Sequence, residues 1–182
     1  AGVLIVDDLV DTGATARVHA GFGFNCFDLR LSAGGTLQQI LWSAPGFESG
    51  RERPSGSGVP LLFPFPGRIA QGRFDWAGRS YEIPPNDNRG NAIHGFVLNR
   101  PWRVIERSVS RVVGEFQGSI DAPDLADRWP ADYAIRATYE LLGNRLVMDY
   151  ECWNPDQRPL PCGFGSHPYF RLPLGGTSAA EC

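Results

Sequence analysis

A chain of 182 residues, 42% hydrophobic and 12% aromatic, is long enough to bury one core and too apolar to be disordered. Its net charge of −3, without a basic block, excludes the electrostatic footprint of a nucleic-acid or anionic-membrane binder. No apolar run approaches the ~20 residues of a spanning helix, and the opening Ala1-Gly2-Val3-Leu4-Ile5-Val6-Asp7-Asp8 has no basic leader of the signal-peptide kind.

The first element is a short apolar strand over residues 3–6. The run from Val3 through Asp7-Asp8 to Asp11-Thr12-Gly13-Ala14-Thr15 resembles a phosphoribosyltransferase ribose-phosphate loop. There a helix N-terminus follows and holds the phosphate. Here the next residues alternate and carry glycines, so a hairpin turning at Asp11-Thr12-Gly13 is expected, and the transferase stays a remote alternative. Val18, Ala20, Phe22, Phe24 and Cys26 alternate with His19, Gly21, Gly23 and Asn25, which predicts one continuous strand with a packed face. The polar stretch 48–58 reads as a mobile loop. Phe74 and Trp76, a turn at Ala77-Gly78, then Tyr81 and Ile83 read as a hairpin. Residues 121–129 hold a helical turn or two, ended by Pro130. Tyr133, Ile135, Ala137, Tyr139 and Leu141 alternate, Gly143-Asn144 turns the chain, and Leu146, Met148, Tyr150 and Cys152 alternate again. Period two on both sides of a Gly-Asn turn is a strong antiparallel signal. With 22 glycines and 15 prolines spread along the chain, the fold class expected is all-β, a large twisted antiparallel β-sandwich in a single domain over 1–182.

Cys26, Cys152, Cys162 and Cys182 show neither CxxC nor zinc spacing, so reduced thiols in a cytoplasmic protein are expected. Trp42, Trp76, Trp102, Trp129 and Trp153 are expected mostly in the core, although indoles also stack on sugar rings. The final Ala179-Ala180-Glu181-Cys182 follows a Gly-Gly without a closing element, which reads as incomplete at the C-terminus.

Of three histidines, His94 and His167 sit among Gly, Pro and aromatic residues, in Asn91-Ala92-Ile93-His94-Gly95-Phe96 and Gly165-Ser166-His167-Pro168-Tyr169-Phe170. Such settings fix loop backbone where binding sites concentrate. By themselves histidines are more often hydrogen-bonded structural residues, and His19 is read as one. Upstream, Pro64-Phe65-Pro66-Gly67-Arg68-Ile69 delivers one arginine at the end of an apolar segment. That run, with Gly72-Arg73-Phe74, Gly78-Arg79-Ser80-Tyr81, Asn86-Asp87, Asn91-Ala92-Ile93-His94-Gly95 and His167-Pro168-Tyr169-Phe170, resembles the galactose mutarotase (aldose 1-epimerase) family in content and order. Phe22-Gly23-Phe24-Asn25-Cys26 resembles an early strand of its bacterial members.

The resemblance implies an enzyme interconverting the α and β anomers of hexoses such as galactose or glucose, without metal or cofactor. It makes His167 the general acid on the ring oxygen and His94 a second catalytic candidate. Gly67, Arg68, His94 and Tyr169 become the substrate-binding set. It also places the catalytic base, a glutamate, and a sugar-binding aspartate late in the chain, beyond Cys182, so these 182 residues are expected to be weakly active or inactive. Two departures stand out. Gly67 replaces the family's usual Asn, removing one hydrogen bond to substrate. Phe96 replaces a frequent second Gly, narrowing the pocket or re-aiming the loop. Histidine suits the chemistry: with a pKa of ~6.5 it gives and recovers a proton near neutral pH. Arginine stays charged and offers a fork of donors. The alternative of another class is a non-catalytic carbohydrate-binding β-sandwich. The partner expected is a small-molecule hexose, with no nucleic acid and no membrane.

Overall fold

Thr12-Gly13 turns the chain between strands β1 (Val6–Asp11) and β2 (Ala14–His19), which pair antiparallel from Asp11↔Ala14 to Val6↔His19. This is a computed structural model describing residues 6–174 and 178; residues 3–5, Glu181 and Cys182 lie outside that range. A strand, not a helix, follows Thr15, so the transferase reading falls. β3 (Asn25–Ala33) and β4 (Thr36–Gln39) complete a four-stranded antiparallel meander. After it come two short strands, β5 (Leu61–Leu62) and β6 (Arg68–Ile69), and the hairpin β7 (Arg73–Trp76) and β8 (Arg79–Glu82). Ala77 and Gly78 at its tip both have positive φ, the twist that two-residue hairpins favour. β9 (Ala92–Ile93) pairs with β6. β10 (Arg103–Arg107), β11 (Arg111–Gln117), β12 (Ala134–Leu141) and β13 (Leu146–Trp153) form the second antiparallel sheet. β14 (Gly165–Ser166) pairs with β5.

The two sheets close over one core. Ile135, Ala137, Tyr139 and Leu141, the alternating set of β12, are fully buried and meet Leu9, Ala16, Val18 and Cys26 of the first sheet. Phe24 lies between, stacked on Trp102 at 5.3 Å and on Tyr139 at 5.4 Å. A side chain of this size contributes about 1.5–3 kcal/mol when buried. A Cβ at Gly114 would lie 2.4 Å from the Phe24 ring, so β11 has a glycine where that ring needs room. On the opposite face of the second sheet, Arg136 bridges Glu115 at 2.9 Å and Glu151 at 3.3 Å. Exposed pairs of this kind contribute little, but they mark the solvent side. The sheets are also tied at their tips. Asn144 accepts from the Ser32 N–H at 2.7 Å and donates to its carbonyl at 2.8 Å, while Asp11 accepts from the Gly143 N–H at 2.7 Å.

The continuous strand expected over 18–26 is instead a strand, a buried reversal and a second strand. Ala20, Phe22, Phe24 and Cys26 are buried as expected, yet residues 20–24 turn. The Gly23 N–H donates to Arg100 and the Trp102 N–H to Ala20. A Cβ on Gly23, whose φ is +74°, would lie 2.2 Å from the Leu98 carbonyl oxygen. The turn is inside, so burial continues through it and imitates strand alternation. The turn or two expected over 121–129 is present, as 3-10 rather than α-helix. A single turn, α1 (Gly118–Asp121), is followed by a 3-10 segment, Pro123–Arg128, because Pro123 cannot continue the helix past Ala122. The polar loop 48–58 is pinned at its end. Ser57 and Gly58 are buried, and the Asn25 side-chain amide donates to the Ser57 carbonyl at 3.0 Å. Only Trp102 and Trp129 are core tryptophans; Trp42 and Trp76 are exposed and Trp153 is half-buried beneath Arg136. Cys26, Cys152 and Cys162 are free thiols. Among the described residues no helix is long and apolar enough to cross a membrane.

His19 lies in the core, but its ring nitrogens lack the hydrogen-bond partners expected of a structural histidine. It is fully buried against Phe22, Phe27 and Phe47, with ring centroids 5.8–6.3 Å away. Burial lowers its proton affinity, and the Arg17 charge adds to that. The Glu48 and His19 carbonyls and the Glu48 charge oppose the shift, but no carbonyl gives the ring a hydrogen bond of good geometry. Arg17 itself is held by Asp8 at 3.0 Å and Glu48 at 2.8 Å. The native state therefore prefers a neutral ring. Its contribution is complete above the ordinary value of 6.5 and is lost as pH falls below it, where the unfolded chain takes the proton first. Urea midpoints are expected to fall between about pH 7 and 5, with a smaller slope in His19→Phe. An unchanged slope in that variant would show that His19 does not contribute.

Candidate active site

The site is organised by the short strand β5 and its continuation through Phe63. On one side Gly165 pairs with Leu62 and Ser166 with Leu61, and the His167 N–H donates to the Pro60 carbonyl at 3.2 Å. On the other side Gly95 bridges to Phe63, and the Phe96 N–H donates to the Phe63 carbonyl at 2.8 Å. Segments 94–96 and 165–167, seventy residues apart in sequence, thus flank the same few residues. Gly95 is required there: a Cβ on it would lie 2.0 Å from the Phe63 carbonyl oxygen, and its φ is +76°.

Arg68 enters through the β6–β9 ladder, where it pairs with Ile93. Next to it, the His94 N–H donates to the Gly67 carbonyl at 2.9 Å, and the Gly67 N–H donates back to His94 Nδ1 at 3.2 Å. A backbone N–H can only donate, so Nδ1 is the acceptor and the ring proton of neutral His94 sits on Nε2. His94 also has a φ of +68°, a conformation unusual outside glycine and met at functional sites. Burial lowers its proton affinity, and the charges of His167 and then Arg68 lower it further. His94 is thereby kept neutral, with an Nε2–H to donate.

His167 is exposed and its ring stacks on Tyr169, with centroids 4.7 Å apart and planes 23° from parallel. Tyr169 is fixed by its backbone, which donates to Gly58 and accepts from Trp42 at 2.9 Å each. Tyr169 therefore holds the His167 ring. Gly67 has a φ of +81° and, among the described residues, open space where a side chain would project. Phe96 does not narrow the site: its ring is buried against Phe65, Trp129 and Tyr133 in the core.

Asp87 was not expected among the site residues. Its carboxylate bonds Arg68 Nε at 3.0 Å and also accepts from the Arg89 and Asn91 backbones and the Asn91 side chain. The Asn91 N–H is the largest of the influences that hold the Asp87 carboxyl well below the usual carboxylate range. A carboxylate so committed is no general base. Asn86, one residue earlier, accepts from the Ile93 N–H at 2.6 Å and donates to the Ile93 carbonyl at 3.1 Å. The Asn-Asp pair before Asn91 was the available sequence signal, since such residues bind backbone in tight loops.

Beside the site lies an apolar groove of about 330 Å³, lined by Leu29, Leu31, Leu146, Met148, Pro168 and Phe170 among others.

Comparison with known proteins places these residues in a family context. The family described as Aldose 1-epimerase matches residues 28–180. Galactose mutarotase of Rattus norvegicus is 30% identical over 105 residues, covering 58% of this chain and 29% of that protein. The uncharacterized protein YphB of Escherichia coli (strain K12) is 28% identical over 131 residues, covering 70% of this chain and 41% of that protein. Among solved structures, a galactose mutarotase-like protein from Clostridium acetobutylicum superposes with a TM-score of 0.78 at 24% identity, covering 96% of this chain and 56% of that one. The Slr1438 protein of Synechocystis gives a TM-score of 0.73 at 26% identity, covering 96% and 57%. The chain spans less than half the length of these curated relatives and little more than half that of the structural neighbours.

Proposed function

Because the chain belongs to the aldose 1-epimerase family, we propose that it carries one half of a site that interconverts the α and β anomers of a hexose such as galactose or glucose. His167 is the acid at the ring oxygen. His94 and Arg68 hold the sugar oxygens, and Tyr169 aligns His167. The observation that carries this reading is that segments 94–96 and 165–167 flank β5 and Phe63 while Arg68 pairs with Ile93 beside His94, whose Nδ1 accepts from the Gly67 N–H and leaves Nε2–H to donate.

Mutarotation requires a proton on the ring oxygen and the loss of one from the anomeric hydroxyl. The C1–ring-oxygen bond then breaks, C1–C2 rotates, and closure on the other face returns both protons. His167 supplies the first proton from an exposed, stacked ring. Neutral His94 donates a hydrogen bond without competing for that proton, since its affinity for one is lowered. Arg68 holds the sugar oxygens through its fork of donors and stays charged throughout. Asp87 is saturated, so the base is assigned to the late glutamate that the family resemblance places beyond residue 182. The chain is thus read as the first part of one sandwich domain, and the free thiols suit a cytoplasmic setting.

The test is polarimetry of freshly dissolved α-D-galactose and α-D-glucose with the full-length protein, at the length of its relatives. Faster relaxation than in buffer is expected for at least one sugar. No acceleration overturns the assignment, and hexose binding without acceleration would favour a non-catalytic carbohydrate-binding sandwich.

A further inference from the structure

We propose that Asp87 is a positioning residue for Arg68: it takes the guanidinium by Nε and so fixes the plane in which the two terminal nitrogens meet the sugar. This rests on the reading of Arg68 as a sugar-binding side chain. Four donors converge on the Asp87 carboxylate. They are Arg68 Nε at 3.0 Å, the Arg89 N–H at 2.8 Å, the Asn91 N–H at 2.8 Å and Asn91 Nδ2 at 3.1 Å. Its side chain is 7% exposed, whereas that of Arg68 is 54% exposed. The pair is therefore unequal, with a largely covered anion held by several donors gripping a cation that otherwise projects into solvent.

The atom that is gripped matters. A carboxylate meeting both terminal nitrogens would use the fork that recognises oxygens. Bonding at Nε leaves that fork free, and among the described residues no other hydrogen bond to the Arg68 guanidinium is found. An exposed arginine has many rotamers to lose on binding a ligand, and an anchored one has already lost them. The same loop does a second job through the adjacent residue. Asn86 clamps both backbone groups of Ile93, which lies opposite Arg68 in the β6–β9 ladder and directly precedes His94. One loop therefore sets the position of the cation and of the neutral histidine together, and Asn91 braces it by accepting from the Gln71 N–H at 3.1 Å.

Two measurements test this. The first needs no sugar and no variant: in side-chain ¹⁵N NMR of the full-length protein, the Arg68 Nε–H is expected to exchange with water about tenfold more slowly than those of unpaired surface arginines. Equally fast exchange overturns the anchor. The second is the kinetics of Asp87→Asn. A loosened arginine is expected to raise KM for the hexose about tenfold and to leave kcat within about threefold. A variant that merely unfolds in part would lower apparent kcat at constant KM. The double variant Arg68→Ala/Asp87→Asn should lose no more than Arg68→Ala alone. Unchanged KM in Asp87→Asn, or additive losses in the double variant, overturns the positioning role. Full activity in Arg68→Ala overturns the reading of the site itself, and is told apart from failure of the anchor because Nε–H exchange is measured without sugar.

Discussion

His167→Ala in the full-length protein is expected to lower kcat for hexose mutarotation at least ~10²-fold, the lower end of what general acid assistance contributes. The substitution removes the imidazole and little else. The backbone of residue 167 stays bonded to Pro60, β14 stays paired with β5, and the ring is exposed rather than part of the core. Stability should therefore change little, and KM should move less than kcat, because Arg68 and His94 still hold the sugar. Tyr169 loses its stacking partner but keeps both backbone bonds. Polarimetry or a coupled anomer-specific assay reads the rate, and a urea melt run in parallel reads the fold. Full activity with an intact melt would remove the acid role.

The 182-residue chain by itself is expected to accelerate mutarotation ~10²–10⁴-fold less than the full-length protein, the range associated with one member of an acid–base pair. His167 placed as described gives one proton, but ring opening also needs one taken from the anomeric hydroxyl, and the Asp87 carboxylate is committed to four donors. Hexoses mutarotate spontaneously in water, so a residue of catalysis this small would merge with the background. Packing points the same way. The apolar groove beside the site is open, and Phe170 and Leu172 are more than half exposed at its end of the chain. Among the described residues β13 pairs only with β12, so that edge of the second sheet has no partner there. Apolar surface and an unpaired edge favour self-association. Sedimentation of the 182-residue chain should show larger species at concentrations where the full-length protein gives a single one. Turnover by the short chain equal to that of the long one would show that the site needs no later base.

Much of the architecture is local enough to be written in the sequence. Period-two alternation over 133–152 around Gly143-Asn144 specifies the β12–β13 hairpin, because successive side chains must leave opposite faces of a strand. Ala77-Gly78 specifies the β7–β8 turn through the positive φ that such a turn demands. The order of the Arg68, His94 and His167 motifs points to the family and to its candidate site residues. Other features depend on contacts that no local pattern encodes. Alternation reports burial and not chain direction, so residues 18–26 look like one strand although the chain reverses inside the core, where Gly23 meets Leu98 and Arg100. Phe96 occupies a motif position beside the pocket, and only the aromatic cluster of Phe65, Trp129 and Tyr133 turns its ring inward. The neutrality of His94 comes from burial and from two charges brought in by other segments, and its ring proton is placed by a Gly67 N–H that lies 27 residues away. Asp87 sits in a polar stretch that reads as an ordinary loop. It becomes an anchor only when folding removes its carboxylate from water, because donors that water would otherwise replace then have a single acceptor to meet.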